Sequence, residues 1–348
     1  GTMLLLDTQE IRSLNFDSRG NARLQYIATY VDGSLIDAKK IVSSNPDEYG
    51  YLRDVDIYVY DQAALSQDQD FSQIIPVEAT LREVQVIRTT DFDYRGNVVT
   101  QTVERFESDG LTRIDLQSIT NLAYDFHDRT TQSTIITYEA DGVTFASKQI
   151  IHYDSYDQWG NVLVQRVDLF DIADNLLERK LITNVYSGDV IMVQQSGAES
   201  TVDGAIAARR GNAITTTVKR YLDEGMALLV ERQEMVTDRI DWRGNIVDQT
   251  IRTYVTIGGV ESLATKTEIN NVLSTIDNRG DAETQEITTW TSPTGIESEG
   301  LLEVSYQVIT NREFDSQHRV ENQKVLNYLS EGTMLLLDTQ EIRSLNFD

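Results

Sequence analysis

Aspartate recurs along this chain three residues before a glycine: Asp17 before Gly20, Asp47 before Gly50, Asp93 before Gly96, Asp157 before Gly160, Asp241 before Gly244 and Asp277 before Gly280. Asp125 and Asp315 stand in the same relation to Asp128 and His318, and Ala208 replaces the acid before Gly211. Eight carboxylates in one frame could be calcium ligands. Calcium, however, takes six to eight oxygens, and the D-x-D-x-D-G ladder typical of calcium loops is missing. Most of these turns carry one carboxylate, often beside an arginine: Arg19, Arg95, Arg243 or Arg279. An Asx-turn needs only one Asp, whose carboxylate accepts backbone N–H bonds, and it accounts for Asp-x-x-Gly by itself. No cofactor is therefore expected; weak, delocalised screening by calcium or another divalent cation is the one metal role the acid surplus supports.

Two further columns share this frame. Gln follows the anchor by five in Gln25, Gln101, Gln165, Gln249, Gln285 and Gln323. Such amides could hold a sugar; the alternative is a ladder of amides bonded to one another on successive strands. Ten residues after each anchor stands an aromatic: Tyr30, Tyr60, Phe106, Tyr138, Phe170, Tyr221, Tyr254, Trp290 and Tyr328. These could stack on carbohydrate, but a ring at every hairpin end is first a packing residue. Catalysis has little to work with. His127, His152 and His318 are few and scattered, an Asp in eight copies does not mark a unique site, and Arg210-Gly211-Asn212 and Gly258-Gly259 lack the spacing of a phosphate loop. The chain is not expected to be an enzyme.

What positions these residues is a repeat. Counting from the nine anchors, the +7 residue is Ile27, Ile57, Val103, Ile135, Val167, Val218, Ile251, Ile287 and Val325, β-branched in every unit. With aromatics at 8% of the chain, nine aromatics in nine units is on the order of 10⁻¹⁰ by chance. The units are read as residues 17–46, 47–92, 93–124, 125–156, 157–207, 208–240, 241–276, 277–314 and 315–347, with 1–16 as the second strand of a preceding unit. Two units are long, carrying insertions at 62–79 and 187–207; the second, rich in small residues, reads as a loop. Between anchor and aromatic the residues alternate, as in a strand, so +7 and +10 face opposite ways. A second turn signal follows, as in Asp109-Gly110, Asp141-Gly142 and Asp174-Asn175, and then a second apolar stretch. Each unit is thus a β-hairpin. The expected fold is all-β: tandem antiparallel hairpins, about 18 strands, forming one continuous coiled sheet, a spiral, tube or solenoid. Three prolines in 348 residues suit central strands.

Gly1–Asp17 returns unchanged as Gly332–Asp348, an offset of 331 residues, while the nine units between have diverged to a few shared columns. Gly1 opens in mid-unit with no basic, apolar leader, so the expectation is one period of a longer array of super-repeats, the alternatives being an assembly overlap or a copied tail. Composition bounds the rest. Net charge is −26, which repels nucleic acid and anionic lipid. No apolar run reaches the ~18 residues of a membrane-spanning helix. There is no cysteine, hence no disulfide and no thiolate ligand.

Phe92-Asp93-Tyr94-Arg95-Gly96-Asn97, Tyr124-Asp125 and Tyr156-Asp157-Gln158-Trp159-Gly160-Asn161 resemble the tyrosine–aspartate (YD, or Rhs) repeats of large bacterial surface and toxin proteins. That resemblance implies hairpins joined by Tyr-Asp-x-x-Gly turns and spiralling into a hollow shell or rod. The expected function is structural: a segment of a very long extracellular or cell-surface protein that builds a fibre, stalk or sheath by continuous antiparallel pairing. Its partner would be itself, as adjacent super-repeats or identical chains end to end. The alternatives are a shell segment of a YD-repeat toxin that encloses cargo, and a surface adhesin that binds glycan along the aromatic or Gln columns.

Overall fold

In the Asp-x-x-Gly segments the chain reverses in three residues. Asp17 N–H donates to the Asn21 carbonyl at 2.9 Å and Gly20 N–H to the Asp17 carbonyl at 3.1 Å; Gly20 takes a φ of +89°. This is a three-residue hairpin loop in which a tight turn ends on a left-handed residue, a conformation glycine adopts without steric cost. The same pattern recurs at Asp47, Asp93, Asp125, Asp157 and Asp241. A computed structural model of the chain describes residues 8–31, 34–60, 81–277, 280–314 and 320–343. The insertion at 62–79, the ninth anchor His318 and Arg279 lie outside the described residues.

These residues fall into two compact units, divided at Lys148/Gln149. In the first, β1 (Thr8–Phe16), β2 (Ala22–Val31), β3 (Ser34–Pro46), β4 (Leu52–Tyr60), β5 (Leu81–Phe92), β6 (Val98–Phe106), β7 (Arg113–Tyr124) and β8 (Thr130–Tyr138) pair antiparallel in chain order. After β9 (Phe145–Tyr156), the second unit runs through β10 (Val162–Phe170) and β11 (Leu176–Val185). An inserted hairpin follows, β12 (Asp189–Val193) and β13 (Glu199–Asp203), with the short helix α1 (Ala205–Ala208). The meander resumes with β14 (Thr215–Tyr221), β15 (Leu229–Asp241), β16 (Ile246–Ile257), β17 (Val260–Asn271), β18 (Thr284–Thr291), β19 (Leu302–Phe314), β20 (Val320–Tyr328) and β21 (Leu336–Arg343). β11 pairs directly with β14, closing the sheet behind the insertion, and the rest pair in order. The fold is all-β, built of tandem antiparallel hairpins in a continuous sheet. The described strands number 21: two for each of nine hairpins, the strand before the first, and the two in the insertion.

The insertion at 187–207 is not a loop. β12 adds parallel to β15, and Val190, Ala207, Ile214 and Ile240 form a closed apolar cluster backed by Met192, Val202 and Ile206. The glycines and small residues dominate the segment's composition, but Val190–Val193 is a run of four apolar residues and Ala205–Ala208 a helix-forming run; both find cover on β15.

One register rule recurs. The +5 residue of a unit lies opposite an apolar residue of that unit's second strand, and this lies opposite the +7 residue of the next unit. The rows are Gln25–Ile41–Ile57, Val55–Ile87–Val103, Gln101–Ile119–Ile135, Gln165–Ile182–Val218, Thr216–Met235–Ile251, Gln249–Ile269–Ile287 and Gln285–Ile309–Val325. Seven rows thus carry a β-branched or apolar pair across each hairpin-to-hairpin step. The column Gln do not bond to one another, since successive ones lie two or four strands apart with Ile on one side, and Gln25 donates to Ser13 Oγ at 3.0 Å. A short amide ladder does form at Gln285, which donates to Asn271 Oδ1 at 2.8 Å and accepts from Asn311 Nδ2 at 3.2 Å on the two neighbouring strands.

The +10 aromatics mark bulges. In eight of the nine hairpins the register slips by one residue at the aromatic: Tyr30, Tyr60, Phe106, Phe170, Tyr221, Tyr254, Trp290 and Tyr328 each face a partner strand that carries one extra residue. A bulge tightens local twist and re-aims side chains.

Candidate functional site: the linked turns

The Asp carboxylates are consumed inside their own turns. Asp17 Oδ1 accepts from the N–H groups of Arg19 and Asn21, both at 2.9 Å, and its Oδ2 accepts from Asn21 Nδ2 at 3.1 Å. Asp93 does the same with Arg95 and Asn97, Asp157 with Trp159 and Asn161, and Asp241 with Arg243 and Asn245. Asp277 accepts from the N–H groups of Gly280 and Asp281. The N–H of Asn21 is the chief cause that holds the Asp17 carboxyl below its usual range, since a bond to the charged form favours it. At Asp171 the Asn175 side-chain amide leads, and at Asp109 and Asp141 the hydroxyls of Thr112 and Thr144. At Asp93 and Asp157 burial pushes the other way and the turn's hydrogen bonds outweigh it.

The residues flanking the glycine reach the next turn. Asn21 Nδ2 also donates to the Gly50 carbonyl at 3.0 Å, and Arg19 Nη2 to the Glu48 carbonyl at 2.7 Å, joining the first Asp-x-x-Gly turn to the second. In the same unit Asn97 donates to Asp128 Oδ1 at 3.0 Å and Arg95 to the Asp125 carbonyl at 3.1 Å. In the second unit Asn161 donates to the Ala208 carbonyl at 2.8 Å and Asn212 to the Gly244 carbonyl at 2.8 Å. Arg210 donates through Nε to the Arg243 carbonyl, and Arg243 reaches the Ile276 carbonyl at 3.3 Å. Where Tyr51 stands in place of Asn the link is a ring: Tyr51 packs on Phe92 at 5.2 Å between centroids and lies against the Cα of Gly96. Five of these turns are thereby clasped to the next by side-chain hydrogen bonds, mostly to main-chain carbonyls, and the Asp47 turn is joined to the Asp93 turn by its ring. Sequence reasoning noted the arginines but not the partners, because the carbonyls they reach are some 30 residues away.

A second column was missed. Asn121, Asn184, Asn271 and Asn311 each donate at 2.9 Å to the carbonyl two residues past an anchor, those of Val98, Val162, Ile246 and Ala282. Thr237 Oγ1 does the same for Ala213. Register slips toward the following strand come after Asn121, Thr237 and Asn311, while their side chains reach back to satisfy a carbonyl on the side of the preceding strand. The signal was present as a polar residue seven positions before Asp128, Gly244 and His318.

In the aromatic column Tyr60 and Tyr221 are buried and the other seven half-buried, and several ring faces are taken. Arg232 lies 3.8 Å from the Tyr254 centroid, Lys266 5.5 Å from Trp290 and Arg113 5.9 Å from Phe106, all cross-strand partners. The exposed rings among the described residues lie elsewhere: Tyr49, Tyr94, Phe126 and Trp159 inside the Asp-x-x-Gly or Asp-x-x-Asp turns, and Phe16 at the end of β1. Tyr49 and Tyr94 rim an open cleft of about 650 Å³ with Asp47, Glu48, Arg53 and Asp91. A second cleft, of about 480 Å³, lies among Asp238, Asp248, Glu268, Glu286 and Tyr306 in the second unit. Among the described residues no three or more His, Asp or Glu side chains are grouped to hold a metal ion.

No protein family and no curated protein matches the chain. Among solved structures, the crystal structure of TcdB2-TccC3-TEV aligns at 10% identity over 95% of this chain with a TM-score of 0.16. That of TcdB2-TccC3 aligns at 11% identity over 91% with a TM-score of 0.15. The chain spans 22% of the length of each of those chains.

Proposed function

We propose that this chain is a structural segment of a long extracellular repeat protein, which builds a fibre, stalk or sheath by antiparallel β-pairing from hairpin to hairpin. The observation that carries this reading is the clasp between successive turns. The Asp of each turn shapes that turn, and the Arg and Asn that flank the glycine in several of them are spent on holding one hairpin to the next. Those steps are closed twice, by the ladder of the sheet and by bonds at its edge. Such an array is quasi-one-dimensional: every hairpin stabilises its neighbours, and its length is set by the number of repeats. The tyrosine–aspartate resemblance supports the same architecture, and a charge of −26 keeps separate arrays apart.

The test is the denaturing mass of the native polypeptide that carries this segment, together with electron microscopy of the undenatured material. A mass far above that of 348 residues, with proteolytic or length variants spaced by 331 residues, and rods of variable length are expected. Closed particles of one fixed size would sink the fibre reading in favour of a shell.

A further inference from the structure

We infer that β1 (Thr8–Phe16) and β21 (Leu336–Arg343), which overlap in the repeated sequence, are one shared strand: in the assembled protein it lies between β20 of one super-repeat and β2 of the next, hydrogen-bonded along both edges. This rests on the fibre reading and adds to it the partner, a second copy of this sequence, and the register of the junction.

Both copies are seen in part. Thr8–Arg12 and Thr339–Arg343 are the same five residues, Thr-Gln-Glu-Ile-Arg. As part of β1 they pair downstream, with Ile11 opposite Ile27 and Gln9 opposite Thr29. As part of β21 they pair upstream, with Ile342 opposite Gln323 and Gln340 opposite Val325. The two pairings use opposite edges of the same sequence, so one strand can hold both. Superposing them gives the row Gln323–Ile342/Ile11–Ile27: a +5 Gln, an apolar residue of the second strand, and the +7 residue of the next unit. That is the rule of the seven internal rows, met at the junction without a slip. A displacement of one residue would turn every side chain of the strand to the wrong face.

Ile11, with a strand on one side, is 58% exposed, whereas its counterparts Ile41, Ile87, Ile119, Ile182, Ile269 and Ile309, with a strand on each side, are half-buried; Ile342, also with a strand on one side, is half-buried too.

Laying β21 of one copy beside β1 of the next does not serve. Being the same segment, the two run in the same direction in a continuing array, and their contact would be parallel. Turning the second copy over restores antiparallel pairing but exchanges the two faces of its sheet and moves its Asp-x-x-Gly turns to the opposite edge. Only a shared strand keeps the faces, the direction and the clasped turns together.

The chain has no cysteine, so paired cysteines report the junction cleanly. Gln340→Cys with Thr29→Cys joins positions that face each other when β21 of one copy replaces β1 on β2 of another. Arg343→Cys with Tyr26→Cys reads the same junction further along, and Glu341→Cys with Thr29→Cys is shifted by one residue. The 348-residue chain is refolded at high concentration under oxidising conditions and run on a non-reducing denaturing gel. Covalent multimers are expected from both in-register pairs and not from the shifted one. Monomer alone from both in-register pairs, or multimers from all three pairs alike, would overturn the shared strand. Rods formed by the unmodified chain without register-specific cross-links would leave the fibre reading standing and remove only this junction. Register-specific cross-links in material whose native mass is that of one super-repeat would do the reverse.

Discussion

Asp115 and Asp168 are nearly fully buried, and an arginine from the facing strand meets each. Arg105 is buried with its Nε 2.9 Å from Asp115 Oδ1, and Arg179 forks onto Asp168 through Nε and Nη2. Both pairs lie beside a bulge aromatic, Phe106 or Phe170, where the widened strand leaves room for a guanidinium. Removing one partner leaves a charge without water or counter-ion, which typically costs about 3–5 kcal/mol, whereas replacing both by apolar residues of similar size is often neutral. Arg105→Ala is therefore expected to open β6 and β7 to hydrogen exchange, while Arg105→Met with Asp115→Leu restores protection; equal effects of the two variants would show that the pair is not electrostatically coupled. The turn carboxylates act differently, because they are only half-buried or exposed and accept main-chain N–H bonds that favour the ionised form. Asp17, Asp93, Asp109, Asp141, Asp157 and Asp171 all have folded-state pKa values lowered from that of a free Asp. A lowered folded pKa contributes stability that is complete above the unfolded value near 4 and is lost as pH falls through the folded value. Loss of β-structure is thus expected below about pH 4 rather than between pH 5 and 7. Asp→Asn at Asp17, Asp93 and Asp157 together should flatten that acid limb in circular dichroism.

At the scale of the hairpin, the anchor position separates two demands that the sequence displays as one. Every described anchor is left-handed, including Asp128 at φ +62°, so the backbone alone asks only for a residue that tolerates positive φ. What differs is the surroundings. A Cβ on Gly20 meets nothing within 4 Å, whereas on Gly244 it meets the Ile206 carbonyl at 2.9 Å and Ala207 Cα at 3.3 Å, because α1 of the insertion lies over that turn. Asp241 is fully buried, whereas Asp17, Asp47, Asp93, Asp125 and Asp157 are half-buried. Gly20→Asn should cost under about 1 kcal/mol, as Asn enters the left-handed region readily. Gly244→Asn should cost several times more, with exchange protection lost across β15 and β16. Comparable losses at both sites would mean that α1 does not pack on the turn. The example also marks how far the sequence could be read. Asp-x-x-Gly, the β-branched +7 residue and the aromatic +10 residue each report a local event, a turn, a strand or a bulge, and their periodicity revealed the hairpin array. The folded insertion was not legible, because Val190 and Ala207 are covered by Ile214 and Ile240, both outside the insertion and Ile240 distant in sequence. The clasping of Arg19 and Asn21 to Glu48 and Gly50 was hidden for the same reason: a backbone carbonyl leaves no mark in the residue that supplies it.

For the molecule as a whole, charge and turn chemistry are one system. A surplus of 26 acids over bases gives long-range repulsion between arrays, whereas the hairpin clasps rely on short bonds made by the same kind of group. Salt separates the two. At about 0.1 M ionic strength charges more than ~10 Å apart are largely screened, while a carboxylate bonded to two N–H groups at 2.9 Å is little affected. Raising salt at pH 7 should therefore let arrays approach sideways without loosening any turn: light scattering rises, and the β-sheet signal in circular dichroism stays constant. Lowering pH to 3 acts on both, because it protonates the surface acids and reaches the lowered pKa values of the turn aspartates. There scattering should rise together with loss of sheet signal, and return to pH 7 at low salt should restore both. If high salt at pH 7 diminishes the sheet signal, the array is held chiefly by screened surface ion pairs, and the turn clasps do not carry its stability. If acid raises scattering while the sheet signal is unchanged, the aspartates are dispensable to the turns they occupy, and their place in the repeat must then be explained by the outer charge alone.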